Sequence, residues 1–271
     1  MKKILQSIVL CGAAILTMTL ASGCGDDDPV TPPVNGGDTT TYVKFAQGDT
    51  FTYDRYNRDS ANVKQTNSKN VVVWTVLNTN QTIGGRSNVT VIAEQVYEAD
   101  GVTATAERDT LYMQSGTDGK LYQYNLLRSV IKRIPSAEAF LDSVPPNWIQ
   151  ISNTKSTTAS SWVSLEGGTL TRTVTLLGFP AEITFTMNAT HAGKQSITVP
   201  SGTYATSVHT DHNVGISIVS QFLTARDTLA LSYDVSPKDG IVHQSLASKQ
   251  TNLGQPVPGF DLELRSVVRK P

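Results

Sequence analysis

The sequence predicts an all-β protein: an antiparallel curved sheet, half-barrel or β-sandwich with at most one short helix. Three observations predict it. Apolar and polar residues alternate with a period of two over roughly a dozen segments enriched in Thr, Val, Ile and aromatics. Several gaps between segments are turn-sized and carry Gly or Asp-Gly, so the strands they join pair antiparallel, without crossover helices. Helix signals are confined to Ser136–Val144, with a Ser after Pro135, apolar Ala139, Phe140 and Val144, and a stop at Pro145-Pro146.

The strands follow in order. Phe51–Tyr56 opens the series, and Val71–Leu77 has the apolar density of a buried strand. Gly84-Gly85 turns the chain into Val89–Tyr97, and Asp100-Gly101 turns it again into Thr103–Gln114. Asp118-Gly119 precedes Leu121–Tyr124. Thr169–Leu177 alternates until Gly178-Phe179-Pro180 breaks it, and Glu182–Met187 resumes. Gln195–Val199, Tyr204–Thr210, Val214–Phe222, Thr228–Val235, Gly240–Leu246 and Phe260–Val268 complete the count. One apolar and one polar face per strand call for a core on one side. A transmembrane barrel does not fit, because strands such as Thr169–Thr175 and Ile183–Met187 alternate with Thr, Arg and Glu and offer no lipid band.

The N-terminus carries a different signal. Lys2 and Lys3 precede an apolar run from Ile8 to Leu20, which ends in Ala21-Ser22-Gly23-Cys24. That is the layout of a secretory signal. The run is about 13 residues, short of the roughly 20 that span a bilayer, and Asp26, Asp27 and Asp28 follow at once. Ala21-Ser22-Gly23-Cys24 resembles the lipobox of bacterial lipoproteins. The resemblance implies cleavage after Gly23, acylation of Cys24, and partnership with the outer membrane through those acyl chains. Residues 1–23 are then a signal peptide, 24–41 an acidic Pro/Gly-rich disordered tether, and 42–271 the β domain. As a flexible coil the tether spans roughly 25 Å, with an extended limit of about 60 Å. The acidic triplet is either a solvated charge run or, behind the anchoring Cys, similar to the export signal of Bacteroidota surface lipoproteins.

Composition narrows the function. Removal of the signal leaves 248 residues with 20 basic and 23 acidic side chains. There is no basic stripe, which argues against nucleic acid. Cys11 leaves with the signal and Cys24 becomes the anchor, so the domain has no thiol for a disulfide, a metal or a nucleophile.

Two internal patterns stand out. Arg108-Asp109-Thr110-Leu111 recurs as Arg226-Asp227-Thr228-Leu229, each starting a strand that leads to an Asp-Gly turn, as duplicated halves or chance would both produce. Ile197–Tyr204 followed by Tyr233–Val242 resembles a broad group of bacterial envelope proteins of unknown function. That resemblance covers residues 195–245, implies a lipoprotein-carrier-like half-barrel, and brings no catalytic residues.

Chemistry is sparse. His209-Thr210-Asp211-His212 is the one histidine cluster, with His191 and His243 elsewhere. On a strand His209 and Asp211 share a face and His212 points away, so the cluster reads as a polar strand end entering a turn at Asn213. No metal site, catalytic residue or cofactor is expected. Glu94, Glu98, Glu107, Asp109 and Glu182 are scattered carboxylates that only tertiary folding could pair. Pro145–Trp148 is the candidate exposed aromatic loop. Thr39, Ser60, Thr110, Ser143 and Thr228 each follow Asp in a pattern resembling the O-glycosylation site of Bacteroidota. The expectation is a lipid-anchored envelope protein that binds a lipid, glycan or envelope partner without catalysis; a structural or adhesive lipoprotein and a polysaccharide hydrolase are the alternatives.

Overall fold

The computed structural model describes residues 41–132, 141, 144–176, 178–252 and 256–270. The signal peptide, Cys24, Thr39, Ser143 and most of the helix expected over 136–144 lie outside them.

The first half is a meander. β1 (Thr50–Arg58), β2 (Lys64–Ile83), β3 (Arg86–Tyr97), β4 (Ala104–Ser115) and β5 (Lys120–Tyr124) pair in chain order. A short helix, α1 (Leu126–Ile131), leads to β6 (Trp148–Asn153), which returns to pair with β5. The second half runs through β7 (Ser160–Val163), β8 (Thr169–Leu176), β9 (Phe179–Val199), β10 (Gly202–Ser220), β11 (Thr224–Ser236) and β12 (Gly240–Leu246). A two-residue ribbon, β13 (Lys249–Gln250) with β14 (Pro256–Val257), precedes β15 (Gly259–Val268). β15 inserts between β12 and β1 and joins the halves into one antiparallel sheet. Both β7 and β8 pair with β9, end to end along the same strand.

The sheet is strongly curved. β6 and β10 are separated by eight strands in the ladder order, which in a flat sheet would place them about 40 Å apart. Yet His212 Nε2 on β10 donates to the carbonyl of Ile151 on β6 at 2.9 Å. An isolated bridge joins Ile149 to Leu165, just beyond β7. Register shifts in several ladders, among them β1–β15, β2–β3 and β5–β6, supply the bending. The concave side holds a core that includes Phe51, Tyr53, Trp74, Ile92, Met113 and Tyr233, each under 5% exposed. Burial of each such side chain contributes about 1.5–3 kcal/mol.

Hairpin turns fall where the glycines placed them. Gly84 and Gly85 have φ of 56° and 78°, the paired left-handed geometry of a two-residue turn. A Cβ on Gly84 would stand 2.5 Å from the Tyr124 ring.

Several expectations need correction. Glu182–Met187 and Gln195–Val199 belong to one strand, β9, and Tyr204–Thr210 and Val214–Phe222 to another, β10, which ends at Ser220. Asn213 is not a turn; it is an exposed mid-strand residue paired with Asn188 and Ala230. β10 runs through because Val208, Thr210, His212 and Val214 keep the period of two on the buried face. Trp148 is not in an exposed loop. It is 2% exposed, its Nε1 donates to the Gly84 carbonyl at 3.1 Å, and its ring lies 5.0 Å from Tyr124.

Candidate functional site

Two constellations concentrate the chemistry, one on each face of the curved sheet. The first is a cleft of about 250 Å³ on the concave side. Its floor is apolar, with Val72, Trp74, Leu111, Leu231, Phe260 and Leu262 from β2, β4, β11 and β15. α1 covers it, burying Leu126, Leu127, Val130 and Ile131 and presenting Ser129 and Lys132 to the cleft. The helix starts after Asn125, held at φ 60° without a side-chain cap. Its stability therefore comes from packing on the core.

The mouth is charged. Glu94, Glu107 and Asp109 line it together with Arg55, Arg108 and Lys132. Cross-strand register explains their meeting: Trp74 pairs with Glu94, and Glu94 pairs with Asp109. Directly opposed residues have Cβ atoms about 5 Å apart. Trp74 Nε1 donates to Glu94 at 2.7 Å. Arg55 holds Glu107 in a two-pronged pair at 2.6 and 2.8 Å. Three of the carboxylates named from sequence thus converge. Glu182 does not; it is an exposed residue of β9.

The second constellation is a ladder of alternating charge on the convex face. Asp211 accepts from His209 Nε2 at 3.2 Å, and His209 Nδ1 meets Asp234 at 2.9 Å. His243 Nδ1 meets the other oxygen of Asp234 at 3.0 Å, and its Nε2 meets Asp261 at 3.2 Å. Arg58 closes the row with two bonds to Asp261, at 2.8 and 2.7 Å. The row ties together β10, β11, β12, β15 and β1, and Gln195 of β9 adds a bond to Asp234 at 2.9 Å.

The ladder sets its own protonation. Burial opposes a charge on His243, but the bonds to Asp234 and Asp261 outweigh it and raise its pKa to about 9. The bond to Asp234 likewise raises His209. Burial opposes the carboxylates too, yet His209 and His243 hold Asp234 well below the usual carboxylate range. Asp261 is lowered to about 2 by His243 and Arg58 against the same burial cost. Each imidazole carries two N–H donors into carboxylates. The ring nitrogens are engaged in hydrogen bonds, and the arrangement crosslinks strands.

The other histidines lie on the concave side. His212 is 1% exposed; Ser164 Oγ lies 3.1 Å from its Nδ1, and burial lowers its pKa to about 4. His191 is fully buried opposite Thr210. His209 and Asp211 do share a face and His212 does point away, while His191 Nδ1 donates to the His209 carbonyl at 3.1 Å. Sequence reading missed the ladder because Asp234, His243 and Asp261 are far apart along the chain. Their register across β11, β12 and β15 was the signal needed.

No protein-family profile matches this sequence, and no curated protein matches it. Solved structures that this chain resembles include a candidate lipoprotein from Parabacteroides distasonis, with TM-score 0.49 and 13% identity over 86% of this chain and 100% of that one. A candidate exported protein with a YmcC-like fold from Bacteroides fragilis gives TM-score 0.40 and 10% identity over 85% of this chain and 100% of that one.

Ser60, Thr110 and Thr228, three of the residues in the glycosylation-like pattern, are exposed. Thr110 and Thr228 also mark the repeated tetrapeptide, and the Leu after each is buried, Leu111 on β4 and Leu229 on β11.

Proposed function

We propose that this protein is a lipid-anchored protein of the cell envelope that binds a small amphipathic ligand, without catalysis, in its concave cleft. The cleft carries the reading: an apolar floor beneath α1, opening onto the carboxylates of Glu94, Glu107 and Asp109. The floor suits a short apolar body. The carboxylates accept hydrogen bonds and Arg108 and Lys132 beside them donate, so the head of the ligand is polar and includes donors, as an amine or a sugar hydroxyl does. Trp74 is 4% exposed, which favours packing against the ligand's apolar part over an open sugar-stacking platform. The anchor is Cys24, with residues 24–41 as tether.

The test uses the unit Asn35–Pro271. N-phenyl-1-naphthylamine, a small fluorescent apolar probe, is titrated in, then displaced by alkylamines and alkyl glycosides. Saturable binding lost in Ser129→Phe, which fills the cleft from α1, supports the reading. Binding unaffected by that substitution refutes it.

The pairing of Glu94 with Asp109 favours one second reading, a polysaccharide hydrolase. Both Glu94 and Glu107 are already held, by Trp74 and Arg55, which suits them to binding more than to proton transfer. Glycan cleavage lost in Glu94→Gln would reverse that preference.

A further inference from the structure

We infer that β8 is a self-association edge, on which a second copy of this chain pairs antiparallel about a two-fold axis through Thr173. β8 pairs with β9 from Thr169↔Thr186 to Leu176↔Phe179 without a register shift. Among the described residues no strand occupies its other edge. Natural edges are blunted by proline, bulges, charge or brevity. β8 has eight residues, no proline, no bulge, no acidic residue and a single basic one, Arg172.

The occupant follows from the sequence of the edge. Leu170-Thr171-Arg172-Thr173-Val174-Thr175-Leu176 is a palindrome about Thr173, broken only by the Arg172/Val174 pair. Antiparallel pairing on that axis sets Thr171 against Thr175, Leu170 against Leu176, and Arg172 against Val174. Each residue then meets one facing the same side, as a continuous sheet requires. The threonine row is exposed, and Thr171 already meets Thr184 hydroxyl to hydroxyl at 3.3 Å within the sheet. Leu170 and Val174 pack against the core side. Charge fixes the register: an axis at Arg172 would set the two guanidiniums directly opposite each other. The closed point symmetry yields a dimer and no fibre.

The test exploits the cysteine content, since the domain beyond Cys24 has no other thiol. Thr173→Cys, Thr171→Cys and the unsubstituted full-length chain are oxidised with copper phenanthroline in membranes of the expressing cells. On the proposed axis the two Thr173 Cα atoms lie about 5 Å apart, within disulfide reach. The two Thr171 Cα atoms lie roughly 13 Å apart along the strands, beyond reach. The expected result is a disulfide dimer from Thr173→Cys, at least about tenfold more abundant than from Thr171→Cys. Co-expressed Thr171→Cys and Thr175→Cys chains should also crosslink. Thermal melts matching the unsubstituted chain show that the exposed substitutions leave the fold intact. A Thr173→Cys chain that stays monomeric, or crosslinks no better than Thr171→Cys, overturns the proposal.

Discussion

His243 donates to Asp234 at 3.0 Å, linking two neighbouring strands at the centre of a six-residue charge ladder. Asp234 is 1% exposed, and both of its oxygens are taken by histidines. A buried carboxylate between two imidazoliums holds strand register through charge and hydrogen bonding together.

The ladder makes stability depend on pH with a defined sign. His243 has a folded pKa of about 9 against an ordinary 6.5, so its contribution is complete below pH 6.5 and is lost as pH rises through 9. Asp261, at about 2 against 3.8, contributes fully above 3.8 and loses that contribution as pH falls through 2. The contribution of the ladder is therefore greatest between about pH 4 and 6.5. The His243 share is about 3 kcal/mol. Thermal melts at about pH 5 and about pH 9.5 should show a marked loss at the alkaline value. His243→Gln should be less stable at acid pH and should flatten the alkaline decline.

Asp234→Asn keeps the shape of the side chain but leaves His209 and His243 without their shared carboxylate. We expect a loss of about 3 kcal/mol in urea unfolding at neutral pH. A variant as stable as the wild type would mean that the ladder contributes nothing net.

Gly84→Ala should cost about 3 kcal/mol. The residue has φ 56°, and its Cβ would enter the space of the Tyr124 ring and the Trp148 indole. Gly85→Ala, with nothing within 4 Å of the added carbon, isolates the backbone part of the cost and should lose less. Equal losses would show that the packing against Tyr124 and Trp148 does not matter.

Much of the sheet was legible in the sequence. β12 was expected over Gly240–Leu246 and has those bounds. The turns at Gly84-Gly85, Gly101, Gly119 and Gly240 all carry positive φ. What failed has separate physical causes. His191, Thr210 and His212 are polar residues on the buried face, so β9 and β10 read as interrupted strands. α1 was missed because it is six residues long and lacks a side-chain cap, although Leu126, Leu127, Val130 and Ile131 recur at helical spacing. The cleft and the ladder were illegible for a different reason. Both are built across neighbouring strands, and only the register puts Glu94 beside Asp109 or Asp234 beside His243.

The anchor has its own test. Cys24→Ala should release the protein from membranes, with the domain still folded by far-UV circular dichroism. A Cys24→Ala chain that still sediments with membranes would contradict the lipoprotein reading.

Binding of an amphipathic ligand in the concave cleft is read out residue by residue by chemical-shift mapping. Octylamine is titrated into the ¹⁵N-labelled unit Asn35–Pro271, and amide and indole resonances are followed. Saturable shifts are expected at the Trp74 indole N–H and at the amides of Leu111, Ser129 and Leu231, all of which line the cleft. The convex ladder around Asp234 should stay unchanged. Shifts confined to the ladder, or none at saturation, would contradict binding in the cleft.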